Sequence, residues 1–184
     1  MKKLEIVGFK RANLGKKGSK DLRAEGYIPS VVYGGGEQLH FYAPTILFRD
    51  LLFTPEAYEV TLNIEGEIRK AILQDTQFHP VNDSLLHADF LEITDKPIKV
   101  NVPVKFVGNS PGVIKGGKLV QKLRKVTLRG LADNIPDFVE VSIEGLDLGK
   151  SVRVSDIKVE NVEILNALSL PVGTIDIPRS LRGK

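Results

Sequence analysis

Apolar and polar residues alternate with a period of two along most of the chain, the spacing that turns one face of an extended strand toward a core. Leu4 and Ile6 begin a first strand that reaches Gly8. Residues 28–33 (IPSVVY) form a β-branched run closed by Gly34, Gly35 and Gly36. Residues 58–64 and 67–73 read as two strands joined at Glu65-Gly66, a tight hairpin turn. Residues 84–93 (SLLHADFLEI) read as another strand. Helical signals are short. Ser19 is placed to cap a turn that runs through Leu22 and Arg23 and stops at Gly26, with Leu22 docking it on the sheet. Thr45 is placed to cap a second helix that runs through Leu52 and ends before Pro55.

After Thr94-Asp95-Lys96-Pro97 the alternation restarts. Val100, Val102, Val104 and Phe106 share one face, and Lys99, Asn101, Pro103 and Lys105 the other. A turn-rich GNSPG follows at 108–112, then a strand near 126–129, then Val139, Val141 and Ile143 alternating with Glu140, Ser142 and Glu144. Short strands separated by Gly and Pro turns predict an all-β protein with a few short helices, built as barrels or sandwiches. The restart near 94–96 predicts two domains, 1–94 and 95–184.

Charge sharpens this picture more than bulk composition does. The net charge of the 184 residues is only +3, but it is unevenly placed. Residues 1–33 carry eight Lys/Arg against three acids, residues 34–94 three against ten, and residues 95–184 fifteen against ten. Residues 96–129 hold nine bases and no acid. Grouped positive charge is what a phosphate-binding surface requires. The absence of cysteine excludes disulfides, thiolate nucleophiles and zinc ribbons, and fits a reducing cytoplasm. The N-terminal MKKLEIVGFKR is broken by Glu5, too early for a secretory apolar region, and no stretch is long and apolar enough for a membrane span.

Three constellations hint at catalysis, and each falls short. Residues 112–118 (GVIKGGK) match the first seven places of a phosphate-binding loop, but the eighth needs a hydroxyl for Mg²⁺ and is Leu119, with no helix pattern behind it. His79, His87 and Asp89 are the ligand types of a non-haem iron site, yet only His87 and Asp89, two apart on one strand, are fixed to a common face. No G-x-S-x-G elbow occurs. The residues therefore predict no enzyme, no cofactor, no metal and no small-molecule substrate.

Binding chemistry is better supplied. Lys10, Arg11, Lys16 and Lys17 are expected in a glycine-containing loop where backbone can approach phosphates, and Lys20 and Arg23 are neighbours one helical turn apart. Tyr33 ends a strand beside three glycines, placed either to reach a ribose or phosphate or to sit inside a barrel. A carboxylate such as Asp89 cannot bind phosphate, but it accepts from a 2′-hydroxyl or a base amino group. With Gln77 and His87 it suits the shallow minor groove of folded RNA. Low aromatic content and the lack of a stacking motif make readout of single strands a poorer fit.

At these residues the sequence resembles a known family. The run G-x-x-G-S-K-x-L-R-x-x-G-x-I-P-x-V-V-Y-G at 15–34, Q-x-H-P at 77–80 and H-x-D-F at 87–90 are similar to the bacterial large-subunit ribosomal proteins that bind 5S rRNA. V-P-V-K-F-V-G at 102–108, G-V-I-K-G-G at 112–117 and N-I-P-D-F-V-E-V at 134–141 extend the likeness to the long two-domain form, the general stress protein Ctc. The resemblance implies a six-stranded antiparallel β-barrel with a short helix at its mouth, then a second all-β domain. It implies RNA contacts at Arg11, Ser19, Lys20, Arg23, Tyr33, Gln77, His87 and Asp89, to which the charge pattern adds Lys16. The partner implied is 5S rRNA, at the widened minor groove of its irregular internal loop, in the cytoplasmic ribosome. Residues 95–184 would meet neighbouring ribosomal proteins or rRNA. A stress-related role off the ribosome, through protein or other RNA partners, is the alternative. Two departures stand out: residues 178–184 are basic where many long members carry an acidic tail, and Asp21 stands where some carry Arg.

Overall fold

A computed structural model describes residues 1–178; the basic segment 179–184 lies outside the described residues. The chain divides into two compact units, Met1–Val100 and Asn101–Lys184.

In the first unit, β1 (Lys2–Lys10), β2 (Tyr27–Tyr33), β3 (Leu39–Pro44), β4 (Tyr58–Ile64), β5 (Glu67–Phe78) and β6 (Leu85–Glu92) close into a six-stranded barrel in the order β1-β3-β2-β6-β5-β4. Closure leaves no bare strand edge. The barrel is not antiparallel throughout, as the resemblance had implied. β1 runs parallel to β4 and β2 parallel to β6, while the other four ladders are antiparallel. Both parallel ladders join strands distant in sequence, where no hairpin turn dictates direction. Period-2 patterning fixes which face is buried and leaves direction open.

Inward alternation fills the barrel. Ile6, Val32, Phe41, Val60, Leu62 and Phe90 are fully enclosed. Phe48 plugs one end from a 3₁₀ turn, Thr45–Phe48, with its ring centroid 6.3 Å from that of Phe90. In strand β3, Phe41 and Ala43 of LHFYAP are buried and Leu39, two residues earlier, packs against the same core, a three-residue alternation too short to stand out in the sequence.

Helix α1 (Lys16–Ala24) begins earlier than expected, after Gly15. Ser19 is therefore not its cap; its hydroxyl lies inside the helix and donates to the Gly15 carbonyl at 2.8 Å. Leu22 is only half-buried and α1 contributes no fully buried residue, so the expected apolar docking is partial. Thr45 likewise caps nothing. Its hydroxyl and its N–H both donate to the Gly26 carbonyl, tying the end of α1 to the turn that leads into α2 (Arg49–Phe53).

Strand β7 (Ile98–Val107) crosses into the second unit, where with β8 (Lys118–Gln121), β9 (Lys125–Gly130), β10 (Val139–Ser142), β11 (Ser151–Arg153), β12 (Glu163–Ile164) and β13 (Pro171–Asp176) it makes two sheets, ordered β10-β7-β9-β12 and β11-β13-β8, with a short helix α3 (Pro111–Ile114) between β7 and β8. The glycines of 112–118 are here packing residues. A Cβ at Gly112 would meet the backbone of residues 146–148 within about 3.0 Å, and one at Gly117 would strike Ile175 at 2.5 Å. Lys115 is bound to both carboxylate oxygens of Asp147 at 2.9 Å, and its hydrogen bonds hold that carboxyl below the usual range. Lys118 already belongs to β8. The glycines are filled by neighbours, so no phosphate cradle forms.

Candidate nucleic-acid interface

Side chains alternate across a strand, so the outer face of the barrel can be read from the register. Within β6, Ala88 and Phe90 point inward, which turns His87 and Asp89 outward. Antiparallel pairing with β5 sets Gln77 opposite His87 and Asp75 opposite Asp89. On the other side, β2 places Val31 beside Asp89 and Tyr33 beside Leu91. Tyr33 therefore faces outward and is not an interior barrel residue. Three adjacent strands thus gather Tyr33, Asp75, Gln77, His87 and Asp89 into one polar strip.

The strip is electrostatically unusual. His87 Nδ1 lies 2.6 Å from Asp89 Oδ1, each side chain between a quarter and a third exposed. Both atoms are buried, and neither has a hydrogen-bond partner among the described residues. The Tyr33 phenol is pushed above its ordinary pKa, first by burial and then by the carboxylates of Asp89 and Asp75, which oppose a phenolate. It remains a hydrogen-bond donor at neutral pH. One phenol donor, two carboxylate acceptors, an amide and an imidazole combine donors with acceptors, which matches 2′-hydroxyls and base edges better than a phosphate, which only accepts.

Positive charge enters from α1. Lys16, Lys17 and Lys20 are exposed and have no acidic partner among the described residues. The first turn of α1 carries no acid; two lysines stand where the helix dipole favours an anion. Lys10, by contrast, lies in β1 and is paired with Glu67 at 3.0 Å. Arg11 and Arg23 turn out to hold structure as well. The Arg11 guanidinium donates to the Ser19 hydroxyl at 2.7 Å and to the Gly15 carbonyl at 3.2 Å, clamping the loop onto the start of α1. Arg23 donates to the Leu86 carbonyl at 3.2 Å. Leu86 immediately precedes His87, so this bond joins the cationic helix to the polar strip. His79 stands apart, its Nδ1 accepting from the Val81 N–H in the turn after β5.

Asp75 is the residue that sequence reasoning missed. The expected strand stopped at residue 73, where alternation fades into the polar QDTQ; hydrogen bonding carries β5 on to Phe78 and puts Asp75 against Asp89.

Comparison with known proteins extends over the whole chain. Residues 6–90 match the model of the Ribosomal L25p family, and residues 97–179 match that of Ribosomal protein TL5, C-terminal domain. A Large ribosomal subunit protein bL25 of Cytophaga hutchinsonii is 55% identical over 183 residues, covering 99% of this chain and 95% of the relative. Proteins of the same name from Amoebophilus asiaticus and Phocaeicola vulgatus are 51% and 41% identical, covering 99% and 100% of this chain and 93% and 96% of the relatives.

Proposed function

The chain belongs to the ribosomal L25p family of large-subunit structural proteins, which are not enzymes, and from that premise we propose that its barrel binds 5S rRNA through the strip of Tyr33, Gln77, His87 and Asp89 together with α1. The helix lysines fix the protein on the phosphate backbone. The strip reads 2′-hydroxyls and base edges in a widened minor groove, the division of labour expected of positioning and specifying contacts. Arg11 and Ser19 contribute by holding the loop and the first helical turn in shape, so that Lys16 and Lys20 present their charge from a fixed scaffold.

One observation carries this reading: the pairing of Gln77 with His87, and the Arg23 bond to Leu86, bring residues from three separate segments onto one outer surface. Asp89→Ala tests it. Loss of this acceptor leaves RNA donors unmatched, so affinity for 5S rRNA should fall by roughly 1–3 kcal/mol. Unchanged binding of this variant in a filter assay refutes the assignment.

A further inference from the structure

The C-terminal half of α1, the segment 45–53 and the facing ends of β5 and β6 enclose an open groove, of which the reading above uses only the α1 cations and leaves the apolar walls and Arg49 unassigned. Its cations are Lys20, Arg23 and Arg49, and its apolar walls include Ile46, Phe53 and Phe78. Segment 45–53 buries Phe48 and Leu51 in the barrel end but leaves Ile46 67% and Phe53 75% exposed, and Phe78 across the groove is 42% exposed. Side chains of this size, exposed together in a concavity, mark a binding surface. Lys20 and Arg49 have no acidic partner among the described residues, and Asp83 is the single acid of the lining. An occupant must therefore be both anionic and flat or apolar.

We propose, building on the RNA reading above, that this groove receives one unstacked nucleotide of the bound rRNA. Its base lies against Phe53 and Phe78, and its flanking phosphates lie on Lys20 and Arg49. Ring stacking beside cations is how unpaired bases are held without sequence-specific hydrogen bonds. Charge complementarity and the position of Lys20, which is common to helix face and groove, favour RNA over a protein segment. The groove also explains why the aromatic residues of this barrel end are left uncovered while its core is already complete.

The test is base-specific chemical probing of 5S rRNA bound to the full chain, with Phe53→Ala and Phe53→Trp. Phe53 is largely exposed, so neither change removes core packing. The expected result is one base shielded by the unaltered protein and reactive again with Phe53→Ala. Affinity should fall roughly tenfold, with the rest of the footprint kept and with protection restored by Phe53→Trp. An unchanged footprint and affinity overturn the inference. So does a Phe53→Ala defect seen only on whole large subunits and not on free 5S rRNA, which would place a protein neighbour in the groove. Failure of the unaltered protein to bind 5S rRNA at all removes the RNA reading itself, and this inference with it.

Discussion

The cations of α1 divide by what else they hold. Lys20 is exposed and its side chain forms no hydrogen bond or ion pair among the described residues, whereas Arg23 is half-buried and bonded to the Leu86 carbonyl. Lys20→Ala should therefore reduce the salt slope of 5S rRNA binding by about one counterion term while leaving the fold untouched. Arg23→Ala should lose more affinity than one phosphate contact explains, because the helix is then unpinned from the strip. Equal losses in a salt titration of the two variants would contradict this. Tyr33 gives a second residue-scale expectation. Its pKa is raised in the folded state, so the protonated phenol is favoured there, and any stability it lends is present below pH 10 and lost as pH rises through the folded value. Asp89→Asn removes one of the two opposing carboxylates. The Tyr33 midpoint, followed by NMR at the ring Cζ, should move down in that variant; a midpoint that stays put would show that Asp89 does not contribute to the shift.

At the scale of elements, the polar strip depends on how closely the strands meet. Gly8 in β1 shows the tolerance. A Cβ there would stand 2.9 Å from the Phe41 ring and 3.0 Å from the Tyr42 carbonyl, at the point where β1 crosses from β4 to β3 and closes the barrel. Phe41 is fully buried. Gly8→Ala is expected to destabilise the first unit by about 1–3 kcal/mol, the usual cost of overpacking. A thermal midpoint equal to that of the unaltered protein would show that the ring can give way. Helix α1 depends on different forces. With no buried residue, it is held by the Arg11 clamp, the Arg23–Leu86 bond and the Thr45–Gly26 pair, all polar contacts that a one-dimensional pattern does not display.

At the scale of the whole molecule, the first unit contains every residue proposed to touch 5S rRNA, and the second supplies two separate sheets with their own core of Val102, Val126, Leu128, Val139 and Val172. A chain ending at residue 100 should fold and bind 5S rRNA with the salt slope of the full protein. A markedly weaker slope would assign phosphate contacts to the bases of 96–129, which lie mostly in the second unit.

Strand faces, the basic N-terminal segment, the all-β class and the family were legible in the sequence, because alternation of side chains and local runs of charge are properties of neighbouring residues. Signals that span few residues were lost. The short alternation of Leu39, Phe41 and Ala43 hid β3, and a polar ending cut β5 short at 73 when it runs to Phe78. Strand direction, the parallel closures of β1 on β4 and β2 on β6, and the meeting of Asp75 with Asp89 were decided only by the tertiary structure. So were the loss of Ser19 and Thr45 as caps and the filling of Gly112 and Gly117 by distant backbone and side chains. Most of these are contacts between segments distant in sequence, fixed by closing a barrel or packing a sheet, while the Ser19–Gly15 bond is local and follows from where the helix starts; a pattern of polar and apolar residues contains neither.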